Sequence, residues 1–425
     1  MLVGLLFGTF AVCLILGVPV GIALALASTA YLYAADIDLS VVAQFTYAGM
    51  DSFVLLCIPG FVLAGNLMNG GGITDQIVRF GNSLVGHVRG GLGLANVTGS
   101  MIFAGISGTA VAETASIGAV MIPAMRKSGY DAPFAAAVTA AASTVGPIIP
   151  PSVPMIIVGT LTGLSVGKMF LAGAVPGLLL GAGMMLTVYL LSRRRGYPKG
   201  TWQGFGEVLR SSRAAFWALL MTALILYGIV GGVFTPTEAS IVAAIYAFVV
   251  GLFVYKGFGL RDLPGIVLES AIGSGALILL VGFANVFGWI LTSEQIPQAI
   301  AQAMLSVTDN KYLILLMVNV LLLIVGTFME TIAALIILFP PLLAVAQAVG
   351  IDPIHFAIVV VLNLMIGLTT PPVGVCLFVA ANIANVPLGA ISRAIVPFLI
   401  CNLLVLALVS YVPWISLWLP SLYFN

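Results

Sequence analysis

The chain has 425 residues, of which 61% are hydrophobic and only 7% are charged, and its net charge is +1 at pH 7. Soluble globular domains carry about 25% charged residues, so this composition excludes an ordinary soluble protein. The balanced charge gives no reason to expect nucleic acid as a partner. Apolar runs of about 20 residues, the length that crosses a bilayer, follow one another along the chain. We therefore predict an all-α polytopic membrane protein in a lipid bilayer.

The first half of the chain divides into apolar spans, one amphipathic stretch and one interrupted span. The predicted elements are spans at 2–17, 19–34 and 51–69, an amphipathic stretch at 73–88, a hairpin at 91–126 that turns at 105–109, an interrupted span at 131–145 and 150–162, and a last span at 168–192. The second half follows the same order. Its elements are spans at 214–233, 237–256 and 271–292, a polar link at 294–311, a hairpin at 312–349, an interrupted span at 353–367 and 371–384, and a last span at 394–420.

An internal repeat explains this parallel order. A Glu-Thr pair occurs at Glu113-Thr114 and again at Glu330-Thr331, and a Gly-x-x-x-Pro-Pro motif occurs at 146–151 and 367–372. Matching positions differ by 217 to 222 residues throughout. We predict a first repeat at 1–195 with a hairpin at 91–126 and a broken helix at 131–162, a cytoplasmic linker at 196–212, and a second repeat at 213–425 with a hairpin at 312–349 and a broken helix at 353–384.

The two repeats are predicted to have opposite orientations in the membrane. If each hairpin is re-entrant, entering and leaving by one side, each repeat crosses the bilayer five times, and the second copy must be inverted. Cytoplasmic loops carry the excess of Lys and Arg. With the N-terminus outside, only Lys168 and Lys311 of the 15 Lys and Arg residues fall in external loops. This distribution supports the odd number of crossings and places both termini outside.

The two Pro-Pro motifs predict discontinuous helices. Proline lacks an N–H group and blocks helix hydrogen bonds, so the chain should unwind before each pair. Unwound carbonyls can coordinate a cation, and half-helix N-termini favour an anion. Inverted repeats with broken helices in matching positions are typical of a midplane substrate and ion site. The alternative is a pair of helix kinks that bind nothing.

The two hairpin tips are small and polar. The first includes Ser107, Gly108 and Thr109, and the second includes Gly326 and Thr327. Their oxygen atoms suit alkali cations, although such turns also serve for packing alone. Glu113 and Glu330 follow these turns and could either stabilise a helix start or couple an ion.

Enzyme motifs are missing, so we predict that the chain is not an enzyme. It carries no ATP-binding motif, and a transport function would therefore depend on an ion gradient or on a partner.

Several blocks of sequence resemble the large membrane subunit, of the DctM type, of TRAP transporters. They are 58–73, 86–97, 146–156, 231–264 and 365–380. The resemblance implies an elevator-type carrier in the bacterial inner membrane, with periplasmic termini. It implies sodium as the coupling ion, no other metal and no other cofactor. It also implies two protein partners, a small four-helix membrane Q subunit and a periplasmic substrate-binding P subunit that delivers an organic acid.

The resemblance also suggests site residues. It places one sodium ion near Gly326, Gly367, Thr370 and Val373, and the internal repeat then suggests a second sodium site at Ser107, Thr109, Gly146 and Ile149. The substrate would lie between the hairpin tips, and the implied binding residues are Ser107, Gly108, Thr109, Thr327, Pro150 and Pro371.

The substrate class stays open between sialic acid, another sugar acid and a C4-dicarboxylate. Thr331 follows Glu330 where dicarboxylate carriers of the family have Pro-Ser, which favours sialic or other sugar acids. One alternative function is a stand-alone ion-coupled carboxylate carrier that needs no binding protein. A second alternative is a membrane-embedded enzyme, which detectable turnover of a lipid would support.

Overall fold

The computed structural model describes residues 2–424, apart from the side chains of Ile106, Ser107 and Ala301. The regular secondary structure of this range consists of helices, and Arg89 and Lys199 form an isolated β-bridge. The helices are α1 Leu2–Ile15, α2 Val20–Ala34, α3 Ser40–Met50, α4 Cys57–Gly70, α5 Ile73–Val85, α6 Gly91–Ser107, α7 Ala110–Lys127, α8 Ala132–Ser143, α9 Val153–Thr162, α10 Val166–Arg195, α11 Phe205–Val230, α12 Pro236–Val249, α13 Leu263–Ser293, α14 Ile296–Val307, α15 Lys311–Phe328, α16 Thr331–Ala348, α17 Pro353–Gly367, α18 Val375–Ala384, α19 Leu388–Tyr411 and α20 Trp414–Tyr423.

Eight helical segments in the described range are long and apolar enough to cross a membrane. Further apolar helices are shorter, among them α8, α9, α17 and α18, which are the halves of the two interrupted spans. The chain is therefore an all-α polytopic membrane protein. A helix satisfies all its backbone hydrogen bonds internally, which is why an apolar chain takes this form in lipid.

Both copies of the repeat form a hairpin followed by a broken helix. The hairpins are α6–α7 and α15–α16, and the broken helices are α8–α9 and α17–α18. A buried asparagine joins the two elements in each copy. Asn96 Nδ2 donates to Thr139 Oγ1 over 2.7 Å, and Asn363 Nδ2 donates to Asn319 Oδ1 over 2.8 Å. Such bonds satisfy polar groups between membrane helices and fix how each hairpin packs on its broken helix.

The proline pairs lie inside the breaks rather than at the starts of the second half-helices. Helix α9 begins at Val153, after Ser152, whose Oγ accepts a hydrogen bond from the Met155 N–H over 3.3 Å. Helix α9 therefore starts after a serine, whose side-chain oxygen can cap the helix. A proline side chain has no oxygen and cannot do so. In the second copy the cap position of α18 is Gly374.

The predicted span at 394–420 is divided in the structure. Helix α19 starts at Leu388 and ends at Tyr411, and α20 starts after Pro413. Proline cannot donate a backbone hydrogen bond to the preceding turn, which explains the break. The separate helix α20 packs against α10.

The two copies interlock around one core. Helix α18 of the second copy packs against α7 and α8 of the first, and α9 of the first copy packs against α16 of the second. Helix α17 is buried from His355 to Gly367. This packing brings the hairpins and broken helices of both copies around one cavity.

Candidate functional site

A cavity of about 310 Å³ lies where the two copies meet. The first hairpin, the second hairpin, both broken helices and α13 all contribute to its wall. The lining residues are Thr109, Ala110, Val111, Pro147, Pro154, Leu277, Glu330, Thr331, Ile332, Met365, Leu368 and Val375. A volume of about 300 Å³ is at the lower end of the range for small-molecule pockets, so the cavity suits a compact ligand.

Four helix N-termini reach this cavity. Helix α7 contributes its cap Thr109 and its first two residues, and α16 contributes its cap Glu330 and its first two residues. Helices α9 and α18 contribute Pro154 and Val375, which stand in their first turns. Helix N-termini carry partial positive charge and unpaired N–H groups, and therefore bind anions. The described lining residues include no Lys or Arg, and the carboxylate among them, Glu330, caps α16, so helix ends rather than cationic side chains are the positive groups of the wall.

Each hairpin tip contacts the break of its own copy. Gly108 has a φ of +61°, and a Cβ at this position would lie 3.1 Å from the Val153 side chain. In the second copy, the Gly374 N–H donates to the Thr327 carbonyl over 3.3 Å. Tip and break are therefore packed together in both copies.

Of the residues predicted to bind sodium in the second copy, Gly326 and Gly367 are in direct contact. A Cβ on Gly367 would lie 2.6 Å from the Gly326 Cα, so these two backbones touch. Thr370 lies one turn after Gly367, and its N–H donates to the Gly367 carbonyl over 2.9 Å while its Oγ1 donates to the Ile366 carbonyl over 2.8 Å. Val373 lies in the same break with an exposed side chain.

The predicted sodium residues of the first copy lie in different surroundings. Gly146 packs against the carboxylate of Glu113, and a Cβ at this glycine would collide with Oε2. Ile149 contacts Gly177 of α10. Thr109 lies in the cavity wall. The side chain of Ser107 is outside the described part of the chain.

Of the predicted substrate residues, Thr109 lines the cavity and the others lie in the tips and breaks that border it. The Thr327 hydroxyl donates to the Ile324 carbonyl over 2.7 Å. Gly108 and Pro150 are buried, and Pro371 is half-buried. Ser107 again has no described side chain.

Sequence reasoning did not select Thr331 as a site residue. Its Oγ1 is buried on the cavity wall and has no hydrogen-bond partner among the groups that the structure describes. Its counterpart Thr114 donates to the Ala110 carbonyl over 2.8 Å and pairs with the Ser143 hydroxyl. The repeated Glu-Thr pair was the available signal, but it could not show which of the two hydroxyl groups is free.

Glu330 is the charged residue of the cavity wall. Its Oε2 accepts hydrogen bonds from the N–H groups of Ile332 over 2.8 Å and Ala333 over 3.3 Å, so it caps α16. The helix end thereby stabilises the carboxylate.

Comparisons with known proteins agree with this architecture. Residues 7–415 match the family described as the DctM component of tripartite ATP-independent periplasmic transporters. The chain is 41% identical to a sialic acid TRAP transporter large permease protein of Vibrio cholerae, across 99% of both chains. It is 43% identical to a C4-dicarboxylate TRAP transporter large permease protein of Pseudomonas aeruginosa, across 87% of both chains.

A solved structure has the same fold. The YdaH transporter of Alcanivorax borkumensis superposes with a TM-score of 0.63 at 17% identity, over 90% of this chain and 88% of that one. The family match and the two relatives cover nearly all of the sequence. The chain therefore belongs to the DctM family, the large permease subunits of tripartite ATP-independent periplasmic transporters.

Proposed function

We propose that this subunit imports a small organic acid into a bacterial cell through the inner membrane, driven by sodium. A periplasmic binding protein delivers the acid, and a small membrane subunit packs against this chain. The observation that carries the proposal is the convergence of four helix N-termini, of which Glu330 caps that of α16, on one cavity without a lysine or arginine in its wall. This arrangement fits a carboxylate that must be bound and then released, because no ion pair holds it.

Sodium would bind at the unwound backbone beside the cavity. The touching glycines Gly326 and Gly367 leave room for two chain segments to approach closely, and Thr370 follows within the same break. Carbonyl and hydroxyl oxygens are the donors that hard cations prefer. A cation there would also offset the negative charge of the acid.

Transport would occur by an elevator movement of the hairpins and broken helices along the remaining helices. The contacts between each tip and its break favour movement as one body. The contacts to the opposing helices include one long hydrogen bond and one apolar side chain: the Thr222 hydroxyl of α11 donates to the Gly105 carbonyl over 3.4 Å, and Leu277 of α13 faces the cavity. Such a surface offers few specific bonds that would oppose sliding.

The acid is proposed to be sialic acid, another sugar acid or a C4-dicarboxylate. The relatives named above have sialic acid and C4-dicarboxylates in their names, and a third, from Escherichia coli, is a 2,3-diketo-L-gulonate TRAP transporter large permease protein with 36% identity. The alignment with this third relative covers 96% of both chains. The free hydroxyl of Thr331 adds a polar contact for a hydroxylated or carboxylated ligand.

Reconstitution in liposomes tests the proposal. The chain should be combined with its small subunit, and labelled acids of the three classes should be added with and without the binding protein. We expect uptake of one class that requires both an inward sodium gradient and the binding protein. Uptake that persists when choline replaces sodium would contradict sodium coupling. Sodium-dependent uptake without the binding protein would instead support the stand-alone carrier.

A further inference from the structure

A second cavity, of about 260 Å³, lies beside two short segments that connect helices. The first connector, residues 86–90, joins α5 to α6, and the second connector, residues 196–204, joins α10 to α11. The polar side chains of the cavity wall belong to Asn82, Ser128, Tyr130, Lys199, Thr201 and Gln203. The described lining residues include no aspartate or glutamate. The wall therefore offers hydrogen-bond donors and an ammonium group, without a carboxylate that would compete for them.

The start of α6 adds backbone donors to this wall. Helix α6 begins at Gly91, and its cap residue Gly90 has a φ of +79° and no side chain that could accept from the free N–H groups. Gly91 and Leu92 line the cavity. The N–H groups of Leu92 and Gly93 face the Tyr130 hydroxyl, whose oxygen accepts from them and whose hydrogen remains available to a ligand. Helix N-termini of this kind attract anions.

Lys199 supplies a positive charge to the wall. None of the ion pairs of the described chain involves this lysine. Arg195 of the same region differs, because its Nη1 lies 3.6 Å from Asp131 Oδ2. An ammonium group, hydroxyl groups and a helix N-terminus are the donors that bind phosphate and carboxylate oxygens. The cavity is smaller than most pockets for drug-sized molecules, so the expected ligand is a small oxyanion.

Helices α5 and α11, which border the connectors, are fastened to each other. Arg79 Nη2 lies 2.6 Å from Glu207 Oε1, and the Ser211 hydroxyl donates to Ser83 Oγ over 2.8 Å. In the proposed elevator movement these two helices belong to the static part, whereas the first hairpin moves. The connectors are then the links that must change shape when the hairpin moves.

The two connectors also contact each other. The Gly90 N–H donates to the Pro198 carbonyl over 3.2 Å, and a Cβ on Gly200 would lie 2.4 Å from the Gly86 carbonyl oxygen. The end of α5, the start of α6 and the second connector all contribute to the cavity wall. An anion bound in the cavity would therefore contact the first hairpin and the second connector at once.

We propose that this cavity binds a small oxyanion of the phosphate type at the predicted cytoplasmic face, and that the bound anion slows transport by fastening the first hairpin to the connectors. The binding site does not depend on the proposed function, whereas its effect on transport does. The phosphate group belongs either to a free anion or to an anionic lipid, because the same donors recognise both. Trp202 and Phe205 beside the cavity are exposed, and aromatic side chains concentrate at membrane interfaces, where lipid phosphates lie.

Binding of radioactive inorganic phosphate to the purified chain with its small subunit, in nanodiscs of neutral lipid, tests the site. We expect saturable binding that Lys199→Gln weakens roughly tenfold, because a charge-assisted bond is lost. Tyr130→Phe, which loses only a hydroxyl, should weaken binding roughly threefold to tenfold. Arg193→Gln is the matched control, because Arg193 is an exposed cation near the second connector that does not line the cavity. It should bind phosphate like the unmodified protein.

Nanodiscs that contain the anionic lipid phosphatidylglycerol distinguish the two sources of phosphate. Equal phosphate binding in neutral and anionic nanodiscs would identify a free anion as the ligand, and displacement of phosphate by the anionic lipid would identify the headgroup. Either result supports the site. Equal binding by the unmodified protein and Lys199→Gln, or no saturable binding by the unmodified protein, would overturn the inference.

Uptake measures the effect on transport. In liposomes with the binding protein outside, phosphate inside should slow uptake by the unmodified protein, and Lys199→Gln should lose this response. Uptake that internal phosphate leaves unchanged, although phosphate binds, would contradict the slowing of transport. Intact phosphate binding without uptake under any condition would mean that the proposed function fails while the binding site stands.

Discussion

Gly367→Ala should abolish uptake while the protein still inserts in the membrane. A Cβ at this position would lie 2.6 Å from the Gly326 Cα and 2.7 Å from its carbonyl carbon. These are backbone atoms, so the second hairpin tip would have to move away from the second break. Overpacking of this kind costs about 1–3 kcal/mol, and here it separates two segments of the proposed sodium site. Uptake in liposomes and the melting temperature measure the two effects.

Gly389→Ala is the matched control for this substitution. Gly389 lies in α19, and a Cβ there would meet no atom within 4 Å. We expect uptake and melting temperature close to those of the unmodified protein. Uptake by Gly367→Ala at the unmodified rate would show that the contact between tip and break is not needed for transport.

Thr331→Val should weaken substrate binding without unfolding the protein. Valine keeps the shape of threonine but lacks the hydroxyl, which is buried on the cavity wall without a partner among the described residues. A hydrogen bond to a charged group contributes about 1.5–3 kcal/mol, so the concentration for half-maximal uptake should rise roughly 10- to 100-fold. Thr331→Ser should restore most of the affinity, because it retains the hydroxyl.

Thr114→Val separates a binding role from a packing role. The Thr114 hydroxyl is already bonded to the Ala110 carbonyl and the Ser143 hydroxyl. Its loss should lower the melting temperature and leave the substrate affinity within about twofold, since no ligand bond is removed. Equal effects of the two valine substitutions on affinity would argue against Thr331 as a substrate contact.

The fold could be predicted largely from composition and from the repeat. The length of the apolar runs predicted the membrane helices. The proline pairs predicted both breaks, because proline lacks the N–H group that continues a helix. The residues at which α9 and α18 begin could not be predicted from the proline pairs alone. Ser152 and Gly374 fix them through capping and through contact with the hairpin tip, which depend on three-dimensional packing.

The site was only partly predictable for the same physical reason. The sequence indicated the tips and breaks, but Leu277 joins the cavity from a helix far from them in the chain. The difference between Glu113 and Glu330 depends on where each helix begins, and identical Glu-Thr pairs carry no signal for a shift of one turn. Local sequence therefore identified the segments, and packing determined which polar groups are free.

In the proposed function, helix N-termini rather than cationic side chains bind the acid in the cavity. Thr109 and Glu330 begin two helices that face the same space, and Pro154 and Val375 lie at two more. Backbone dipoles stabilise an anion without the tight ion pair that an arginine would form. Binding by helix dipoles instead of an ion pair is consistent with a carrier that must release its substrate.

A cryo-EM structure of the chain with its small subunit, in a lipid nanodisc with sodium and the transported acid, tests the central claim most directly. We predict substrate density in the cavity between 109–111 and 330–332, with its carboxylate nearer the N-terminus of α7 than that of α16, which Glu330 already caps. Continuous helices through 144–152 and 368–374, or substrate density away from these helix ends, would contradict the account.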